Sequence, residues 1–243
     1  MALFTDGPAA SMEDLTAQDS QLLNVANAEG IDLTVKLGLA HQAIGLELEE
    51  LLRRSSSYRL ANVVVSPALR LWHTYRTLES VYQDAYHSQL NDRYAAKRDQ
   101  FRGLSKWAYE RVIQAGVGIT LMPVPRALSP ELQPVAGALP DGVYYAAMTW
   151  INAAGEEGAC SPAAAIEVGG EAFLVIPREV PTEAVGWNVY AGATEEAMVR
   201  QNGARLAVTE GWLGAAVAQS GTRPGSGQSA KFNHAISRIL QRG

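Results

Sequence analysis

Four prolines, Pro123, Pro125, Pro130 and Pro134, fall within twelve residues of this 243-residue chain. Each locks its own φ and removes a backbone N–H, so no helix can run through that stretch. Apolar periodicity changes across it. Before it the pattern repeats every 3.6 residues; after it, short β-type runs alternate with turn residues. The chain therefore reads as a multidomain α+β protein. A helical bundle spans 1–120, an antiparallel β-sandwich of immunoglobulin/fibronectin type spans 121–220, and a linker with a C-terminal arm or short helix spans 221–243.

The helical half divides at its caps. Ser11, three residues before Asp14, opens a segment predicted to run to Ala28 with Leu15, Leu22, Val25 and Ala26 on one face. Gly30 stops it, and a second helix is predicted from Ile31 to Arg54. Val35, Leu39 and Ala43 mark one face of that helix, and Leu37, Ile44, Leu48 and Leu51 mark another. Two apolar faces predict a helix held between neighbours. Ser66 and Pro67 form the strongest start signal, followed by Leu71, Tyr75, Leu78, Tyr82 and Ala85 as a core stripe. Asn91 and Asp92 cap a last helix with Tyr94, Phe101, Leu104, Ala108 and Val112, closed by Gly116 and Gly118.

The proline stretch is a domain linker or an extended edge strand. Strands are predicted at 143–152, 163–168, 173–176, 187–191, 198–201 and 205–208, with Asp141-Gly142, Gly155, Gly169-Gly170 and Gly192 at the turns. Trp187, Val189 and Ala191 alternate with Asn188 and Tyr190, the pattern of a half-buried strand. From Gly221 to Ser229 the sequence is flexible and polar. It leads to a short helical pattern at 233–242 carrying Ile236, Ile239 and Leu240.

Charge sharpens the division. The net of −5 splits into −2 over 1–116, −7 over 117–220 and +4 over 221–243, where Arg223, Lys231, Arg238 and Arg242 stand without an acid. Such a tail either folds back on the chain's own acidic surfaces or docks to an acidic partner. Asp6, Glu13 and Asp14 occupy the place where a secretory signal would carry basic residues, and no apolar run is long enough to cross a bilayer. A single cysteine, Cys160, excludes an intrachain disulfide and any cysteine-based metal cluster, which fits a cytoplasmic folding environment.

No motif for chemistry emerges. The glycines of 221–227 lack the Lys-Ser/Thr ending of a phosphate loop, and the Gly116–Ile119 run closes a helix where a dinucleotide fingerprint would open one. His41, His73, His87 and His234 lie outside metal-binding spacings, so no metal, cofactor or catalytic residue is expected. Cys160 reads as a small buried hydrophobe, and Glu156-Glu157 as a solvated hairpin tip. Arg53, Arg54 and Arg59, and Arg93, Lys97, Arg98 and Arg102 beside Asp92 and Asp99, read as solvated faces with local ion pairs.

Several short motifs carry a resemblance. Asp14-Leu15, Gly30-Ile31-Asp32-Leu33, Lys36-Leu37-Gly38-Leu39-Ala40, Leu90-Asn91-Asp92-Arg93-Tyr94 and the Gly-Val-Gly-Ile ending at Ile119 make the first 120 residues resemble the head–tail adaptor (connector) proteins of tailed bacteriophages. Gly142-Val143-Tyr144-Tyr145, the run from Asn152 to Gly158 and the run from Gly186 to Gly192 look like immunoglobulin- or fibronectin-like inserts of phage structural proteins. The resemblance implies a non-enzymatic virion protein, assembled in the host bacterial cytoplasm, that forms a dodecameric ring beneath the portal. Its implied partners are the portal protein, neighbouring copies, and tail or stopper proteins. Capsid, fibre or spike contacts would fall to the β domain, and DNA would only pass through the lumen. The portal-docking arm would comprise Arg223, Lys231, Phe232, Ile236, Arg238, Ile239, Leu240 and Arg242. A second reading is a carbohydrate- or host-surface-binding module using Trp150, Trp187 and Trp212, and a third is an enzyme.

Overall fold

In the computed structural model, which describes residues 2–89 and 92–236 without the side chains of Ser55 and Gln89, Ser11 caps the first helix. Its hydroxyl accepts the Asp14 N–H while the Asp14 carboxylate accepts the Ser11 N–H, so aspartate completes a capping box usually built with Glu or Gln. The predicted single helix to Ala28 is instead two, α1 (Met12–Gln18) and α2 (Leu22–Glu29). Asp19 breaks it. Its backbone is extended, and its carboxylate takes the Gln21 N–H at 3.0 Å, a local bond that competes with the helical ladder.

Asp32 caps α3 (Leu33–Ser55), accepting the N–H groups of Thr34 and Val35. Leu33, Leu37, Ala40, Ile44, Leu48 and Leu52 bury one face, but Val35, Leu39 and Leu46 on the other are exposed. The helix that lies between neighbours is α4 (Pro67–Gln89), packed on α3 and α5 (Ala95–Ala115) and touched by α1 and α2. Its Trp72, His73, Tyr75, Leu78, Val81, Tyr82 and Ala85 are all buried. The Ser66 hydroxyl accepts the Leu69 N–H at 3.2 Å, as its N-cap position predicts. Asn91 lies outside the described residues; Asp92–Tyr94 form a 3₁₀ turn leading into α5.

Gly116 ends α5 with φ +82°, and the chain turns directly into β1 (Val117–Ile119). The helical pattern predicted at 233–242 is replaced, where it is described, by β9 (Phe232–His234), antiparallel to β1. Residues 62–64 flank β1 on its other side through the Val63–Ile119 bridge and the Val64 N–H to Gly118 carbonyl bond. Arg238, Ile239, Leu240 and Arg242 lie outside the described residues.

The β half is a sandwich. One sheet runs β2 (Glu131–Val135), β5 (Ala172–Ile176), β8 (Trp212–Gly214); the other runs β4 (Ala164–Val168), β3 (Gly142–Ile151), β6 (Gly186–Gly192), β7 (Val199–Arg200). Every pairing is antiparallel. Pro134 sits in β2, an edge strand, where a missing N–H is tolerated. Tyr144, Met148, Trp150, Phe173, Val175, Trp187 and Val189 from both sheets share the core. The segment 205–208 contributes only a bridge from Leu206 to Trp187. β6 is not half-buried: Asn188 and Tyr190 are covered as fully as their neighbours, because a second small cluster of Ala147, Tyr190 and Met198 closes the outer face.

The chain sorts into two compact units whose borders are not sequential. Gly7–Thr120 with Ala230–Gly243 form the helical unit; Met1–Asp6 with Leu121–Ser229 form the sandwich unit. The sandwich is therefore inserted between two hydrogen-bonded strands, β1 and β9, rather than appended.

Candidate functional site

The side chains whose burial demands explanation fall into separate polar clusters. In the helical unit, Asp19 is 4% exposed, and one carboxylate oxygen accepts both the Tyr82 hydroxyl at 2.6 Å and the Lys97 ammonium at 2.7 Å. Burial pushes its pKa upward. The bonds from Lys97, Tyr82 and the Gln21 N–H, with the Lys97 charge, outweigh that and hold the carboxyl below the usual aspartate range. Burial and the Asp19 carboxylate raise the Tyr82 phenol in turn. Lys97 also stands over the rings of Tyr82 and Phe101 at 5.8 and 5.6 Å. At the far end of α4, Ser88 donates to Glu29 of α2 at 2.8 Å, joined by Tyr94 at 2.9 Å and Arg93 at 3.2 Å, and these partners lower the pKa of Glu29.

The basic residues of α5 and of the turn before it are thus tied into the bundle more than paired along their own helix. Lys97 reaches Asp19, Arg93 reaches Glu29, and Arg102 reaches Glu79 at 3.3 Å. Local pairs of Asp99 with Arg98 and Arg102 accompany them.

His73 is fully buried between backbone groups. Its Nδ1 accepts the Ala10 N–H at 2.9 Å, which places the ring proton on Nε2, donated to the Leu37 carbonyl at 2.9 Å. Burial lowers its pKa to about 4, so the ring is neutral at pH 7. Its role is to join the chain before α1 to α3 through α4.

In the sandwich unit the adjacent glutamates point into two different networks. Neither is a solvated tip. One Glu157 oxygen accepts the Thr149 hydroxyl, the Asn188 amide at 3.0 Å and the Tyr190 hydroxyl at 2.5 Å, and burial followed by this contact raises the Tyr190 phenol. Asn202 extends the network, donating to Asn188 at 2.9 Å and accepting the Val189 N–H at 3.0 Å. Glu156 turns the other way, accepting Asn152 at 2.9 Å and Gln228 at 3.1 Å. Gln228, 3% exposed, also accepts the Val124 N–H at 2.7 Å and donates to the Met122 carbonyl at 2.9 Å. It clips the glycine-rich 221–229 segment to the start of the sandwich.

Cys160 is half-buried beside Tyr190, and burial pushes its thiol up to about 11, so it is protonated at neutral pH. Among the described residues, no group of three His, Cys, Asp or Glu side chains converges as a metal would require. No described helix is long and apolar enough to cross a membrane.

The expected docking arm is divided by the fold. Arg223 is exposed in the sandwich unit, whereas Lys231, Phe232 and Ile236 belong to the helical unit. The Lys231 N–H donates to the Ile119 carbonyl at 2.8 Å, and Tyr58 meets both Phe232 and His234 edge-on at 5.8 Å. Ile236 is buried. Trp150 and Trp187 are core residues, and the half-buried Trp212 packs at a steep angle against Phe173. The network residues Asp19, Asn188, Glu157 and Gln228 were missed by sequence reasoning. Asp19 alone left a signal, as an acid inside an otherwise continuous helical pattern.

Compared with known proteins, the sequence matches no family model and no curated relative.

Proposed function

We propose that this chain is a structural assembly protein of head–tail adaptor type, building a ring between a portal and the tail machinery. The observation that carries the reading is the insertion of the sandwich between β1 and β9. It makes the helices and the β1–β9 ladder one body, from which the sandwich is carried as an inserted module. The clustered carboxylates of both units are engaged by donors from their own chain, a pattern of structural networks. The resemblance of residues 14–119 to adaptor motifs supports the same reading.

Negative-stain imaging of the full-length chain, alone and mixed with purified portal protein from the same virion, tests it. Rings, or rings that form only on the portal, are the expected result. A chain that stays monomeric and leaves portals undecorated at micromolar concentration refutes it.

A further inference from the structure

The face of α3 opposite its buried side carries an unusual stripe. Val35, Leu39 and Leu46 are 53%, 52% and 70% exposed. With Asp32, Gln42, Glu49 and Arg53, all exposed, they occupy positions 32, 35, 39, 42, 46, 49 and 53, which alternate steps of three and four. That is the spacing of a coiled-coil seam, here on the outside of the unit and about 32 Å long. We propose that this face is a self-association surface through which two copies of the chain pair antiparallel about Gln42.

Charge and shape along the stripe select both the occupant and its direction. In an antiparallel pair centred on Gln42, Leu39 of one copy meets Leu46 of the other, and the two Gln42 amides face each other, able to exchange hydrogen bonds. Asp32 meets Arg53 of the other copy at both ends of the seam. Val35 lies across from the aliphatic stem of Glu49. A parallel pair would stack Val35, Leu39 and Leu46 on their own copies, but at the cost of setting Asp32 on Asp32, Glu49 on Glu49 and Arg53 on Arg53, three like-charge contacts where the antiparallel pair makes two ion pairs. The stripe is therefore complementary to its own reverse, the defining property of a two-fold interface. Such a contact is isologous and closes on itself, so it joins two protomers rather than continuing around a ring. The pairing goes beyond the adaptor reading and does not depend on it.

Sedimentation of the full-length chain over a wide concentration range provides the first test. A reversible dimer is expected. Leu39→Glu or Leu46→Glu, both at exposed positions, should weaken it at least about a hundredfold with an unchanged circular dichroism spectrum. Arg53→Glu puts acid against Asp32 twice per dimer and should weaken it about tenfold. Direction is read by cross-linking in a Cys160→Ser background. Gln42→Cys should oxidise to a linked dimer by itself, Arg53→Cys should not, and Leu39→Cys mixed with Leu46→Cys should link. A chain that remains monomeric at high concentration overturns the proposal, as does a dimer indifferent to Leu46→Glu. Efficient self-linking of Arg53→Cys overturns the antiparallel direction. Portal-bound rings that survive Leu46→Glu leave the adaptor reading standing whatever becomes of the dimer.

Discussion

Tyr82 and Lys97 converge on one oxygen of Asp19, a phenol from α4 and an ammonium from α5 meeting the residue that separates α1 from α2. This single carboxylate ties four helices together. Tyr82→Phe removes one donor and leaves the acceptor to Lys97, and should cost about 1–2 kcal/mol in urea unfolding. Asp19→Ala strands both donors and the Gln21 N–H, and should cost more, about 3 kcal/mol.

The same site predicts an acid dependence. Because the folded pKa of Asp19 lies below its unfolded value, the stabilisation is complete above about pH 5 and fades as pH falls through the unfolded and then the folded pKa. The stability gap between the wild type and Asp19→Asn, measured by urea midpoints, should hold steady from pH 7 to 5 and narrow below pH 4.

His73 titrates in a different window. Its folded pKa of about 4 lies below the ordinary value of 6.5, so the unfolded chain binds the extra proton between those limits. Its contribution is whole above pH 6.5 and is lost progressively toward pH 4, reaching about 2 kcal/mol lost at pH 5. His73→Gln should flatten the stability profile between pH 7 and 5; a slope equal to that of the wild type would contradict the assignment.

In the sandwich, Glu157→Ala removes the acceptor shared by Thr149, Asn188 and Tyr190. It should cost about 3 kcal/mol, and Glu157→Gln about 1 kcal/mol, since one carbonyl oxygen survives. Tryptophan fluorescence follows this unit through the buried Trp150 and Trp187 once Trp72 and Trp107 of the helical unit are replaced by Phe.

Gly116 supports β9 from below. Its φ of +82° disfavours any side chain, and an added Cβ would lie 2.7 Å from the His234 carbonyl oxygen. Gly116→Ala should cost about 2–3 kcal/mol and expose the chain near Ala230–Ile236 to limited proteolysis. Deleting 221–243 should have the same effect on the helical unit, since it removes β9.

Much of this architecture was legible in the sequence because caps and periodicity are local. Ser66-Pro67, Gly30 and Gly116 mark helix ends that the fold retains, and the prolines from Pro123 mark the passage into β structure. What depended on distant partners was not legible. The apolar outer face of α3 reads like a core face, since periodicity reports which side is apolar and not whether anything covers it. Asn233 and His234 fit the start of a helical pattern in isolation, yet β1, far away in sequence, claims them for a strand. Glu157 looks like a turn acid until Tyr190 and Asn188 from β6 are brought to it. The same holds for Gln228, whose partners at Met122, Val124 and Glu156 are assembled only by the fold.

The pairing of Gly118 with Asn233 sets an order of events during synthesis. A ribosome adding about 5–20 residues per second needs roughly 6–23 seconds to cover the 115 positions between them. Throughout that interval α1 to α5 are already available to condense, and the sandwich emerges and can close its own two sheets. The outer edge of β1 stays open the whole time. The final strand thus works as a late seal, admitted only after everything between has been made.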